Sequence, residues 1–163
     1  NFTCTATANL VGQRSFESSI SDGRGGFATG TVIIDVVNTA PVANTDSYQM
    51  RANETLTVAV PGVIGNDTDA DGDALEVTTV NPAGLQGTVT MFAPGNFTFT
   101  PTANFVGQTS FQYSISDGHG GFAVGTVNID VLPRRVLIRD IAFTASGFHV
   151  RFDQALDAAQ VNL

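Results

Sequence analysis

The stretch NFTCTATANLVGQRSFESSISDGRGGFATGTVIIDV at residues 1–36 returns at residues 96–131 as NFTFTPTANFVGQTSFQYSISDGHGGFAVGTVNIDV. The offset is constant at 95 positions (96 − 1), without a gap and with nine mismatches. Self-similarity at one fixed period marks a duplicated folding unit, so whatever fold the chain adopts has to repeat with it. The unit stands whole once, over residues 39–133, and residues 1–38 are expected to hold the last three strands of a truncated earlier copy. After Pro133 the pattern changes. VLIRDIAF and GFHVRFD read as opening strands of a further immunoglobulin-like β domain, truncated, over residues 134–163. The chain is therefore expected to be a window on a longer tandem array.

Inside the whole unit the apolar period is two. Phe97 and Phe99 alternate with threonines, and Phe111, Tyr113 and Ile115 alternate with polar residues, as do Val127, Ile129 and Val131. Such alternation belongs to strands with one buried face. Strands are expected near 46–51, 55–60, 75–81, 86–92, 96–100, 109–116 and 122–131, separated by Pro-Gly, Asn-Asp and Asp-Gly turn clusters. Seven short strands in one unit predict an all-β fold, a Greek-key β-sandwich of immunoglobulin-like architecture repeated in tandem. A Greek-key barrel is the alternative.

Charge narrows the function classes. The net charge is −8, with seven arginines, no lysine and no basic run, so nucleic acid and anionic membrane surfaces would be repelled. No apolar run approaches the roughly 20 residues that span a bilayer. Cys4 is the single cysteine, which excludes an internal disulfide and a thiolate metal cluster. Against this sparse charge, NDTDADGDAL at residues 66–75 sets Asp67, Asp69, Asp71 and Asp73 on alternate positions. An EF-hand would need its closing glutamate where Thr78 stands, and helices on both sides. A solvated turn leaves the mutual repulsion of four carboxylates unanswered. A hard cation answers it, and Ca²⁺, which takes six to eight oxygen ligands, is the extracellular candidate.

These residues carry a family resemblance. DVVNTAPVA (35–43), Tyr48, the pair Asn53 and Glu54, the DTDADGD loop and SISDGHGG ahead of a long last strand resemble the cadherin repeat. More closely, residues 39–133 are similar to the bacterial cadherin-like tandem repeats of large secreted adhesins and secreted polysaccharide-degrading enzymes. The resemblance implies calcium between successive modules, with Asp35 and Asn38 from the linker, Asp69 and Asp71 from the loop and Asp117 from SISDG as ligands. Val37 and Thr39 replace acidic linker positions, which leaves ligands for one ion. At the next junction Leu132, Pro133, Arg134 and Arg135 replace the ligand-bearing linker, so that junction is expected to be metal-free, with Glu54 pairing with Arg134 or Arg135.

Other features are weaker. HGG at His119–Gly121 lacks any GxSxG elbow, and Arg24 stands at the matching place in the first copy, so it reads as a turn. His149 reads as a solvent-facing strand residue. Four N-x-T sequons, at Asn1, Asn53, Asn66 and Asn96, arise freely in threonine-rich strands. Cys4 and Ser18 of the first copy stand where Phe99 and Tyr113 stand in the second, which empties two inward aromatic positions. No nucleophile, base and orienter set is present, so no catalysis is expected. The expected role is a calcium-stiffened extracellular structural or adhesion module, at the cell surface or secreted. Its partners would be neighbouring modules, with a cell-surface protein or glycan as ligand. The alternative is an accessory spacer or glycan-binding module of a secreted polysaccharide-degrading enzyme.

Overall fold

The alternating residues do form strands. The protein is described by a computed structural model over residues 3–5 and 10–153. Strands β1 (Gly12–Ser21) and β2 (Phe27–Val36) form an antiparallel hairpin. Seven strands follow: β3 (Asp46–Arg51), β4 (Leu56–Val58), β5 (Glu76–Asn81), β6 (Gly87–Met91), β7 (Phe97–Pro101), β8 (Gly107–Ser116) and β9 (Phe122–Leu132). A second hairpin, β10 (Ile138–Thr144) with β11 (Gly147–Phe152), comes last. The one helical element among the described residues is a 3-10 turn at Gly62–Asn66, and no helix is long and apolar enough to cross a membrane.

The seven strands make two sheets, in the orders β3-β9-β8-β5 and β4-β7-β6. The first strand of the unit lies parallel to its last, Asp46 opposite Val127 and Arg51 opposite Leu132. All other pairings in the unit are antiparallel. This is an all-β sandwich. Phe97 and Phe99 of β7 face Phe111, Tyr113 and Ile115 of β8 and Val127, Ile129 and Val131 of β9, all fully buried. Phe97 packs edge-on against Tyr48 (centroids 5.4 Å apart) and Phe111 (5.5 Å). Each such side chain contributes roughly 1.5–3 kcal/mol of burial, so the inward faces of β7, β8 and β9 hold the sheets together.

The two edge segments differ from the unit they border. Of three strands expected in residues 1–38, β1 and β2 are formed, while residues 3–5 carry no strand. The reason is pairing: β7 lies between β4 and β6, and among the described residues no strand stands beside residues 3–5 as the counterpart of either. The rest of that expected strand lies outside the described residues, as do residues 154–163. Among the described residues no second sheet covers the hairpin, and Ile20 is 69% exposed whereas Ile115, its counterpart, is 0% exposed. His149 is exposed on β11, as its place in the alternation predicts.

Candidate metal site

The acidic loop leaves the 3-10 turn at Asp67 and is pinned at once. Val42 and Thr68 exchange two backbone hydrogen bonds (2.8 and 3.0 Å), and the Asn44 N–H donates to Asp67 Oδ1 (2.7 Å). Asp69 Oδ1 then accepts the N–H groups of both Asp71 (2.9 Å) and Asp73 (3.2 Å). Gly72 takes a φ of 79°, open to glycine at little cost, and the loop curls until Asp73 stands beside Asp69.

The β8–β9 turn approaches from the other side. Asp117 Oδ1 accepts from the His119 N–H (2.7 Å) and the Gly121 N–H (2.9 Å), which fixes the carboxylate to its own turn. A side chain at Gly121 would overlap that carboxylate and the Ala40 backbone, so only glycine allows linker and turn to meet this closely. Asp69, Asp73 and Asp117 thereby bring carboxylate oxygens within 4.8 Å of one another. Among the described residues this is the group of acidic or imidazole side chains close enough to hold a metal ion.

The remaining oxygens decide the chemistry. Asp117 is 3% exposed, and its Oδ2 accepts from the Asn38 amide (2.7 Å), which, with the turn's two N–H groups, holds its pKa below the usual carboxylate range. Asp73 Oδ2 lies 3.2 Å from His119 Nδ1, a contact that becomes an ion pair when the ring is protonated, and the same nitrogen stands 3.1 Å from the Asp117 carbonyl. Asp69 Oδ2 is buried with no hydrogen-bond partner. A buried carboxylate oxygen without a donor is costly, and a cation removes that cost. Three converging carboxylates and no thiolate fit a hard cation of the Ca²⁺ kind.

The five residues expected as ligands are distributed unequally. Asp69 and Asp117 stand in the triad, and Asn38 touches it through Asp117. Asp71 is exposed, and its Oδ2 accepts the Thr39 N–H (2.7 Å), so it ties the linker to the loop beside the triad. Asp35 stays on β2, exposed, accepting from the Gln13 side chain (2.9 Å). Asp73 completes the triad and was absent from the expected set; its signal was the Asp-Gly-Asp turn, which folds the fourth alternate aspartate back onto the second. At the following junction Glu54 does not pair with Arg134 or Arg135. Arg51 of β3 reaches that place instead, its Nη1 donating to the Pro133 carbonyl (2.9 Å).

Among curated proteins none matches this chain. Three solved structures are similar in part. A nucleoside hydrolase-related hypothetical protein from Saccharophagus degradans, described as associated with carbohydrate metabolism, is 18% identical, with a TM-score of 0.43 over 58% of this chain and 26% of its own. One endo-fucoidan hydrolase of glycoside hydrolase family 107 is 24% identical, with a TM-score of 0.40 over 79% of this chain and 20% of its own. A second is 20% identical, with a TM-score of 0.36 over 76% and 22%. The chain spans about a quarter or less of the length of each of these proteins, and likeness of this size carries no functional argument. Residues 38–133, more than half of the chain, match the bacterial cadherin-like domain, and the chain belongs to that family.

Proposed function

We propose that this protein is a non-catalytic structural or adhesion segment of an extracellular protein, in which Ca²⁺ stiffens the junction between residues 1–38 and 39–133. The observation that carries the reading is Asp69, which has a buried carboxylate oxygen, Oδ2, without a donor and brings a carboxylate oxygen within 4.8 Å of those of Asp73 and Asp117. Asp69, Asp73 and Asp117 would hold the ion, with Asn38 and Asp71 drawing the linker against it. The linker already meets the β8–β9 turn through Asn38 and the acidic loop through Thr39, so an ion bound here would fix an orientation that is partly formed. The cell surface or the secreted state is the setting in which a millimolar-affinity calcium site would be filled. Partners would be neighbouring modules of the same protein and a surface protein or glycan, with no nucleic acid and no membrane insertion.

A second reading, an accessory module of a polysaccharide-degrading enzyme, draws on one feature. The outer face of the β3-β9-β8 sheet carries a groove of about 460 Å³ lined by Ser47, Gln108, Ser110, Asn128 and Asp130, a hydroxyl, amide and carboxylate set able to bond sugar hydroxyls. Binding of this protein on a glycan array, lost with Asn128→Ala, would favour that reading. The leading reading is tested by calorimetry with calcium chloride. Measurable heat and a raised melting temperature at millimolar calcium are expected, and their absence would refute it.

A further inference from the structure

Near the start of the acidic loop lies a second polar cluster, separate from the carboxylate triad. The Tyr113 hydroxyl oxygen stands 3.1 Å from the Asn44 carbonyl, 3.2 Å from Asp46 Oδ2, 3.2 Å from the Val63 carbonyl, and 3.2 and 3.1 Å from the two Asp67 oxygens. Tyr113 is 1% and Asp46 8% exposed. The ring reaches this position because residue 125, opposite it on β9, is glycine; any side chain there would overlap the ring.

A phenol carries one proton and donates one hydrogen bond. Five acceptor atoms around one donor cannot all be satisfied by it, and two ionised carboxylates would stand together in a space that is buried at Asp46 and partly buried at Asp67. The titratable groups facing Asp46 are Tyr113 from β8, Asp67 from the end of the 3-10 turn and Tyr48 from its own strand, and none of them is a cation. One more proton resolves the count. We propose that in mildly acidic solution Asp46 is protonated in the folded unit and donates to the Tyr113 oxygen while Tyr113 donates to Asp67, a proton relay that makes the anchorage of the acidic loop sensitive to pH.

The surroundings agree in direction. Burial first, and then the Asp67 charge, push Asp46 up to about 6 from an ordinary value of 3.8. Burial also pushes the Tyr113 phenol upward, so it keeps its own proton. An acid whose folded value is raised contributes stability that is complete below its unfolded value and lost as pH rises through its folded value. For Asp46 the window runs from 3.8 up to about 6. Within it, linkage makes the folding constant about tenfold larger at pH 5 than at pH 7 from this group alone. Above the window Asp46 is charged beside Asp67, whose own carboxyl is pushed upward by burial, and Asp67 is two residues from Asp69.

The test uses the intact protein in EDTA, so that no cation contributes. Urea denaturation of wild type and Asp46→Asn is compared at pH 5 and pH 7, because an asparagine amide donates to Tyr113 at either pH. The ratio of wild-type to variant folding constants is expected to fall about tenfold between the two. An unchanged ratio would overturn the proposal. Carbon-13 NMR of the Asp46 carboxyl in the wild type gives an answer even where the variant fails to fold. A midpoint near 6 is expected, whereas a midpoint at or below the ordinary carboxylate range would overturn the relay.

Discussion

Asp73→Asn separates the triad present in the structure from the ligand set that the sequence motif implies. Its carboxylate shares a 4.8 Å neighbourhood with Asp69 and Asp117. At an effective dielectric constant of about 20, two unit charges 4.8 Å apart repel by roughly 3.5 kcal/mol. Asp69 and Asp73 are only half-buried, so water and salt screen much of this. Removing the Asp73 charge also forfeits the His119 pair, which at partial exposure is worth at most about 1 kcal/mol. Without calcium the variant should therefore be as stable as wild type or slightly more so. With calcium the order reverses. For a dissociation constant on the order of 10⁻⁴ to 10⁻³ M, about 10 mM calcium adds about 1.4 to 2.7 kcal/mol to the folded state. In a domain of this size that is a rise of roughly 6 to 20 °C in melting temperature. Differential scanning calorimetry in EDTA and in calcium chloride reads it directly. Asp73→Asn should lose most of the rise, while Asp71→Asn, whose partner is the Thr39 N–H, should keep most of it. The reverse outcome would refute the triad, and no rise in wild type would refute a cation site altogether.

Asn38→Ala removes the first cause of Asp117's low pKa, so the Asp117 carboxyl should titrate at higher pH in carbon-13 NMR. The stability Asp117 contributes is present above its unfolded value and lost as pH falls through its depressed folded value, so the variant should lose it at a higher pH; an unmoved midpoint would refute the Asn38 contact. Phe99→Cys imports the first copy's residue into a fully buried site and should cost about 3 to 5 kcal/mol in urea denaturation, with a cost under about 1 kcal/mol refuting the core assignment. Gly125→Ala drives a methyl into the Tyr113 ring and should cost about 1 to 3 kcal/mol, whereas Gly30→Ala, with open space around it, should leave the melting profile unchanged.

Strands were legible wherever alternation had partners to act on. The expected 109–116 and 122–131 segments appear as β8 and β9, since each buries every second residue between two sheets. Alternation alone did not suffice at residues 3–5, where the threonine pattern of β7 is present and its neighbours β4 and β6 have no counterpart among the described residues. The site divides in the same way. Asp69 and Asp117 were legible from motif order. Asp73 was not, because spacing along a chain does not reveal that one carboxylate oxygen, Asp69 Oδ1, gathers the N–H groups of Asp71 and Asp73 and turns the loop back. Least legible was the Tyr113 cluster, since residues 46, 67 and 113 meet only after both sheets have packed.

The two copies of SDGxGG separate what local sequence supplies from what the assembled unit adds. In the hairpin, Asp22 Oδ1 accepts from Arg24 N–H (2.7 Å) and Gly26 N–H (2.9 Å), the same two bonds at the same lengths that Asp117 makes to His119 and Gly121. A side chain at Gly26 would overlap the Asp22 carboxylate as one at Gly121 would overlap that of Asp117. Yet among the described residues Asp22 has neither a linker amide nor an acidic loop beside it. The turn therefore orients its carboxylate from six residues of sequence, before any cation, linker or second sheet is involved. A ligand already held in place loses little conformational freedom when an ion arrives, so this part of the binding cost is met at the level of the turn. The other two triad carboxylates come from a loop that the Val42–Thr68 bridge pins. The residue that varies between the turns, Arg24 in one and His119 in the other, is the one whose ring in the complete unit lies against Asp73. An arginine there would set a permanent positive charge beside the triad. The shared aspartate and glycines thus define the turn, and the variable position sets which side chain, Arg24 or His119, the turn presents.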